Sequence, residues 1–394
     1  MPHISNELWE ELKKHRIILR DEFKVTEKDP DGKWVEDWVK WEKNYNVKWT
    51  NWNGHTTNTE RWCLNPLVPR FPISLRLEEV AIRQGEGAQL TRKHVDLTTE
   101  LCRGITIEVP LIPANMKTVS NVGLITIMDK CHGVGILHRA WKTTEEYLSQ
   151  VKQLKESSCL YRCASVGLGL EQLELAKTLI RNGINVIVID ISHGFTEEIK
   201  LMCLAIRRFH KDTKLIVGNV VNAHAIEYYA DCADAVKVGI SNGAACRTKH
   251  KTGVIENQFT AVERCGTRAK ELGMPIIADG GIRSEEDFVK VIGAGASTAM
   301  AGMIFAQTDE SDAPLVNGKK VFSGMASKAT KETWTGDTSH CEGTTIELEP
   351  SGPVSNVLDN YCEALKSAIS YTNSSNIKEF QSKVKFVLAK RCED

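Results

Sequence analysis

From residue 105 onward the chain alternates short apolar runs with amphipathic segments, and that alternation restricts it to few folds. The apolar runs are Ile105–Asn115, Gly133–Arg139, Tyr161–Gly167, Asn185–Ser192, Leu215–Val220, Ala235–Ile240, Pro275–Gly281 and Thr298–Phe305. Helical patterns such as Leu170–Arg181, Thr196–His210, Asn222–Asp231, Val262–Leu272 and Ser284–Ile292 lie between them. Alternating β and α units call for a parallel sheet covered by helices. Eight such units point to a closed barrel rather than an open doubly wound sheet. Val186-Ile187-Val188-Ile189 and Pro275-Ile276-Ile277-Ala278 are apolar at successive positions, as strands buried on both faces must be. The expected fold is therefore α/β, a (β/α)8 barrel.

Two stretches fall outside the repeat. Residues 1–75 carry seven of the nine tryptophans, at Trp9, Trp34, Trp38, Trp41, Trp49, Trp52 and Trp62. They are expected to form an N-terminal extension, with residues 76–394 as the barrel domain. Residues 307–353 are polar and rich in Gly and Thr, and would form an insertion on the catalytic face after the eighth strand. Leu358–Ile369 then reads as the closing helix.

Composition narrows the function classes. A formal net charge of -1 offers no general attraction for nucleic acid or anionic lipid. No run of eighteen apolar residues suggests a membrane span, and the first twenty residues lack a secretory signal core. The 12 cysteines show no CxxC pair, which fits reduced thiols in the cytoplasm.

One cysteine has a reactive setting. Cys246 follows the sixth apolar run and a small-residue loop, Ser241-Asn242-Gly243-Ala244-Ala245, and Thr248 stands two residues on. A thiol on a loop past the C-terminal end of a barrel strand is placed as a nucleophile would be. The seventh and eighth runs end in Asp279-Gly280-Gly281 and Ala301-Gly302-Met303, where bare glycine amides suit a phosphate. Asp190 ends the fourth run, followed by Ile191, Ser192 and His193; its carboxylate suits a ribose hydroxyl or a cofactor amide. His193 is more readily a surface histidine than a general base. Asn219 ends the fifth run, where a neutral amide suits a planar ligand. Taken alone, Glu342 reads as one solvated loop carboxylate among many.

Several separated motifs, in order, resemble the IMP dehydrogenase/GMP reductase family. They are Val109-Pro110-Leu111-Ile112-Pro113-Ala114-Asn115-Met116, Gly135-Ile136-Leu137-His138-Arg139, Gly218-Asn219-Val220-Val221, Lys237-Val238-Gly239 through Cys246 to Lys251-Thr252-Gly253-Val254, Asp279-Gly280-Gly281, Gly302, Gly324-Met325 and Glu342-Gly343. The resemblance covers about residues 75–390, and the regulatory domain that many IMP dehydrogenases insert after the second strand is absent. It implies that Cys246 attacks C2 of a purine nucleotide, with Thr248 and Glu342 moving protons and Arg139 assisting. It places Asn219, Asp279, Gly280, Gly281, Gly302, Met303, Gly324, Met325, Ser327 and Gly343 around the nucleotide. It places Asp190, Ile191, Ser192, Ile240 and Ser241 near a nicotinamide cofactor, NADPH. It also implies a potassium ion on the carbonyls of Gly243 and Cys246, and a homotetramer.

The dehydrogenases of this family carry an Arg-Tyr pair on a mobile flap, whereas residues 327–341 contain neither arginine nor tyrosine. His250-Lys251-Thr252-Gly253-Val254 resembles the reductases. The resemblance therefore favours reductive deamination of GMP to IMP and ammonia. The alternatives are NAD-dependent oxidation of IMP to XMP, or a nucleotide-binding regulator without catalysis. Arg139 stands where reductases carry lysine, Lys117 where aspartate is usual, Ser241-Asn242-Gly243 in place of a Gly-Pro-Gly type loop, and Ser339 where reductases have arginine. Met303 occupies a position that is small in relatives. These departures suggest a divergent reductase for a modified or deoxy purine nucleotide.

Overall fold

The computed structural model describes residues 73–87 and 91–389. The tryptophan-rich stretch lies outside these residues. Within the compact unit Ser74–Asp394, β1 (Val80–Ile82), β2 (Thr99–Cys102) and β3 (Ile105–Ile107) precede the first barrel strand, β4 (Leu111–Pro113). The repeats then run α1 (Val122–Lys130), β5 (Ile136–Leu137), α2 (Thr144–Glu156), β6 (Cys163–Val166), α3 (Leu170–Arg181) and β7 (Val186–Asp190). They continue with α4 (Glu197–Phe209), β8 (Lys214–Val220), α5 (Ala223–Tyr229), β9 (Ala235–Val238), α6 (Thr248–Thr252) and α7 (Gln258–Leu272). β10 (Ile276–Asp279), α8 (Glu285–Gly293), β11 (Thr298–Ala301) and α9 (Met303–Ala306) complete them. An insertion follows, made of β12 (Leu315–Val316), β13 (Lys319–Ser323), α10 (Lys328–Trp334) and β14 (Thr345–Leu348). The described residues end with α11 (Val354–Tyr371), α12 (Ile377–Lys383) and β15 (Phe386–Leu388).

The eight-stranded sheet has the order β4-β11-β10-β9-β8-β7-β6-β5, parallel throughout. Its two end strands, β4 and β5, are consecutive in the chain. Between them the Ser120 hydroxyl donates to the Ile136 carbonyl at 2.6 Å. This is the expected (β/α)8 barrel.

Alternation along each strand separates two cores. Val186, Val188, Ile216, Ala235, Ile277 and Met300 point into the barrel, where they meet Leu101, Ile105 and Ile107 of the β2–β3 hairpin. Ile187, Ile189, Val217, Val236, Ile276 and Ala299 point outward to the helices. Burying each large aliphatic side chain contributes about 1.5–3 kcal/mol. Side chains of Asn121, Thr143, Thr196 and Ser284 accept the first free amides of α1, α2, α4 and α8, each cap adding roughly 1 kcal/mol.

The structure corrects two element boundaries and gives the expected insertion its form. Ile105–Asn115 is two strands, because the chain turns at Glu108-Val109-Pro110 and Pro110 has no amide to extend a ladder. The second barrel strand shrinks to two residues, since Gly133 to Gly135 pack under α1 and a Cβ at Gly135 would meet Ile125 at 2.7 Å. Residues 307–353 are an ordered three-stranded sheet with α10.

Candidate active site

Toward the C-terminal end of the strands the inward positions change from apolar to polar. Cys163 gives way to Ser165, Val188 to Asp190, Ala235 to Lys237 and Ile277 to Asp279. Lys237 is only 2% exposed, and its ammonium bridges Asp190 at 2.9 Å and Asp279 at 2.8 Å. The Asn115 amide donates to Ser165 at 2.8 Å and Asp190 at 2.9 Å. The Asn219 amide donates to Asp279 at 2.8 Å and to the Gly239 carbonyl at 2.8 Å. Burial works against the charge on Asp190, but Lys237 and Arg139 outweigh it and hold the carboxyl below its usual range. Burial likewise opposes the Lys237 charge, and the two aspartates outweigh it, raising the ammonium above its ordinary value. The floor of the barrel mouth is thus a fixed, paired ionic layer.

The Cys246 loop rises from this floor. Gly239 has φ 143°, and a Cβ there would meet the Asp279 carbonyl at 2.0 Å, so only glycine lets β9 leave the barrel here. The loop is stitched by Asn242, whose amide donates to the Ile240 and Glu256 carbonyls at 3.0 and 2.8 Å and to the Gln258 side chain at 3.0 Å. Ser241 sits at φ 67°, a conformation costly for a residue with a Cβ, and its hydroxyl donates to Val254 at 2.9 Å.

The insertion brings Glu342 to this loop. The Arg247 amide donates to the Glu342 carbonyl at 2.6 Å, and the Thr344 amide to Ala245 at 2.9 Å. On the other side the Glu342 and Gly343 amides donate to Ala326, both at 3.1 Å. Gly343 is required by close approach, since a Cβ would meet the Ser327 nitrogen at 2.7 Å. Thr248, across this ladder, donates its hydroxyl to Glu342 Oε2 at 2.8 Å, and Cys246 Sγ donates to Thr248 Oγ1 at 3.4 Å. A thiol, a hydroxyl and a carboxylate therefore stand in series, a geometry able to take a proton from sulfur and return one to a leaving group.

A family model described as "IMP dehydrogenase / GMP reductase domain" matches residues 75–392. The chain belongs to this family. The GMP reductase of Klebsiella pneumoniae is 30% identical over 336 residues, covering 82% of this chain and 96% of that protein. The GMP reductase of Enterobacter sp. strain 638 is 31% identical over 338 residues, covering 82% and 96%. The inosine-5'-monophosphate dehydrogenase of Cryptosporidium parvum is 28% identical over 367 residues, covering 79% and 91%. Membership of the IMP dehydrogenase/GMP reductase family makes the chain an oxidoreductase whose substrate class is a purine nucleotide.

The remaining family positions distribute unevenly over the mouth. Gly280 and Gly281 have φ of 90° and 81° and turn the chain after β10. Gly302 lies under Met116 and Phe322, beside Met303. Gly324 abuts the Ala245 carbonyl, and Met325 sulfur accepts the Lys117 amide at 3.4 Å. Ser327 is 1% exposed and its hydroxyl caps α10 by accepting the Thr330 amide, so it is spent on the fold. Across the ends of β7 and β8 the Asn219 amide donates to the Ile191 carbonyl and the Ile191 amide to Gly218, while Ser192 and His193 are exposed. Ile240 is partly buried. Two buried polar atoms at the mouth have no partner among the described residues, Asn219 Oδ1 and Arg139 Nε. One needs a donor and the other an acceptor, and a carboxamide-bearing ring such as nicotinamide, or a purine edge, offers both. The fit to potassium is poorer, because the Gly243 carbonyl already accepts the Cys246 amide at 3.0 Å.

The sequence reading missed Lys237, Asn115 and Ser165 as members of the floor, and Trp334 as the neighbour of Arg139. A lysine inside an otherwise apolar strand was the available signal for the first.

Proposed function

We propose that the chain carries out the NADPH-dependent reductive deamination of a guanine nucleotide, GMP to IMP and ammonia, through a purine held covalently on Cys246. The observation that supports this is the bonded series Cys246–Thr248–Glu342, assembled from residues 94 positions apart. Cys246 gives its proton to Thr248, which passes one to Glu342, and the sulfur attacks C2. The same path returns a proton to the exocyclic nitrogen as the C2–N bond breaks and ammonia leaves. The nicotinamide, when bound, supplies the hydride that replaces the amine at C2, and the C2–S bond then breaks to restore Cys246. GMP, NADPH and two protons thus give IMP, ammonium and NADP+.

In this reading Asn219, Asp279, Gly280, Gly281, Gly302, Met303, Gly324 and Met325 hold the nucleotide, and Asp190 and Ile191 border the cofactor. No step is routed through potassium. The reading includes a homotetramer in the cytoplasm and a catalytic domain at 76–394 behind an extension at 1–75. The family match over 75–392 supports that division. Changes at Arg139, Lys117, Met303 and Ser339 support a divergent reductase whose substrate is a modified or deoxy purine nucleotide, and ordinary kinetics on GMP would overturn that refinement. Among the described residues, no helix is long and apolar enough to cross a membrane.

The test follows nicotinamide absorbance in two mixtures, GMP with NADPH and IMP with NAD. Consumption of NADPH with release of ammonia, lost in Cys246→Ala, is the expected result. Formation of NADH from IMP would replace the reductase by a dehydrogenase. If both mixtures are silent with nucleotide bound, the reading gives way to a modified purine substrate or to a regulator.

A further inference from the structure

The Arg139 charge acts on Asp190 from a distance, and among the described residues Arg139 forms no direct ion pair. Its guanidinium lies over the Trp334 ring, 4.7 Å from the centroid. A Cβ at Gly167 would sit 3.3 Å from Nη1, so the glycine leaves just enough room for the guanidinium. Its Nε is buried without a partner among the described residues.

The way it is held matters. A carboxylate would fix a guanidinium by consuming its in-plane N–H donors, often two at once. An aromatic face holds the same cation through its quadrupole, perpendicular to the guanidinium plane, and leaves those donors free. α10, which carries Trp334, is itself tied to the barrel mouth. Lys117, on the loop after β4, donates to Thr333 at 2.6 Å. The Ser327 cap fixes the start of the helix, and Lys331 donates to the His340 carbonyl near its end.

We infer that Trp334 is a positioning residue, whose indole face holds Arg139 at the barrel mouth with its N–H donors free for an acceptor atom of the purine substrate. This rests on the proposed function above. Arginine is a poor proton donor, so at position 139 it serves by charge and hydrogen bonding, and an aromatic partner preserves both. A lysine there would present a compact ammonium that gains less from a flat ring.

The experiment compares Trp334→Phe, Trp334→Leu, Arg139→Ala and the Leu/Ala double variant, with melting temperatures recorded for each. Leucine keeps apolar bulk but removes the π face; phenylalanine keeps the face. Trp334→Leu should lower kcat/KM about tenfold, the size expected of a half-buried cation–π contact. Trp334→Phe should recover most of that loss. In the Arg139→Ala background Trp334→Leu should cost less than about twofold, because the partner is already gone. Equal activities for Phe and Leu, or a full Leu effect without Arg139, would overturn the assignment.

If the wild type turns over no purine nucleotide, the proposed function fails and the clasp is read without catalysis. Trypsin should then cut after Lys328 and Lys331 faster in Trp334→Leu than in the wild type, with Trp334→Phe close to wild type. Indistinguishable cleavage in all three would overturn the clasp itself.

Discussion

Lys237 shows how one residue organises the candidate site. Its ammonium sits between two carboxylates that approach from β7 and β10, in a layer where each charge depends on the others. Asp190 is held ionised below its normal range, so its contribution to stability is present at neutral pH and lost as pH falls through the depressed folded value. Lys237 titrates above its ordinary value, so its contribution persists through neutrality and is lost only as pH rises through that raised value. Lys237→Met would leave two carboxylates facing each other without the cation. It should cost about 3–5 kcal/mol at pH 7, and less at pH 5, where one carboxyl can take up a proton. Urea unfolding at the two pH values measures this. Equal stability of variant and wild type would show that the floor does not depend on the ion pair.

At the scale of elements, the catalytic face depends on the segment joining α10 to β14. It is a narrow ribbon bonded on one side to Ala326 and on the other to Ala245 and Arg247. Gly343→Ala inserts a methyl group 2.7 Å from the Ser327 nitrogen and must push the ribbon away from one of its neighbours. The expected outcome is loss of the Thr248–Glu342 hydrogen bond and a fall in kcat of roughly 10²-fold, the lower range for removing acid–base assistance. The melting temperature should move by only a few degrees, because the ribbon lies outside both barrel cores. Steady-state kinetics beside a thermal melt separates the two effects. An unchanged kcat would mean that Glu342 does not act through this geometry. The strands themselves were legible because a parallel barrel needs nearly continuous apolar runs, as in Val186-Ile187-Val188-Ile189. The insertion was not, because β13 and β14 present polar residues on a partly solvated face and carry no comparable apolar run.

Across the whole molecule, acid should weaken the fold partly through His138. It is 1% exposed, stacked on Trp141 at 4.2 Å, and its Nδ1 accepts the Ala140 amide. Burial first, and the charge of Lys117 second, push its pKa down to about 3. Below about 6.5 the unfolded chain binds a proton that the folded chain refuses, so stability falls as pH drops from 6.5 toward 3. His138→Asn keeps an acceptor near Nδ1 and removes the titration. Its melting temperature should therefore decline less than that of the wild type between pH 7 and pH 4.5. Parallel declines would place the acid sensitivity elsewhere.

The sequence by itself determined the barrel, the order of its strands, the Cys246 loop and the glycine-rich strand ends. Each of these is written in local apolar patterning or in short motifs, and local patterning is what burial on both faces of a parallel sheet imposes. The family motifs brought Thr248 and Glu342 to Cys246, and only the tertiary structure showed how these groups bond and which other polar groups share the mouth. Thr248 meets Glu342 across 94 positions and Lys237 meets Asp279 across 42. Arg139 finds Trp334 because an inserted helix lies at the end of the barrel. These pairings join residues from separate strands and loops, and no periodicity within a single segment records them.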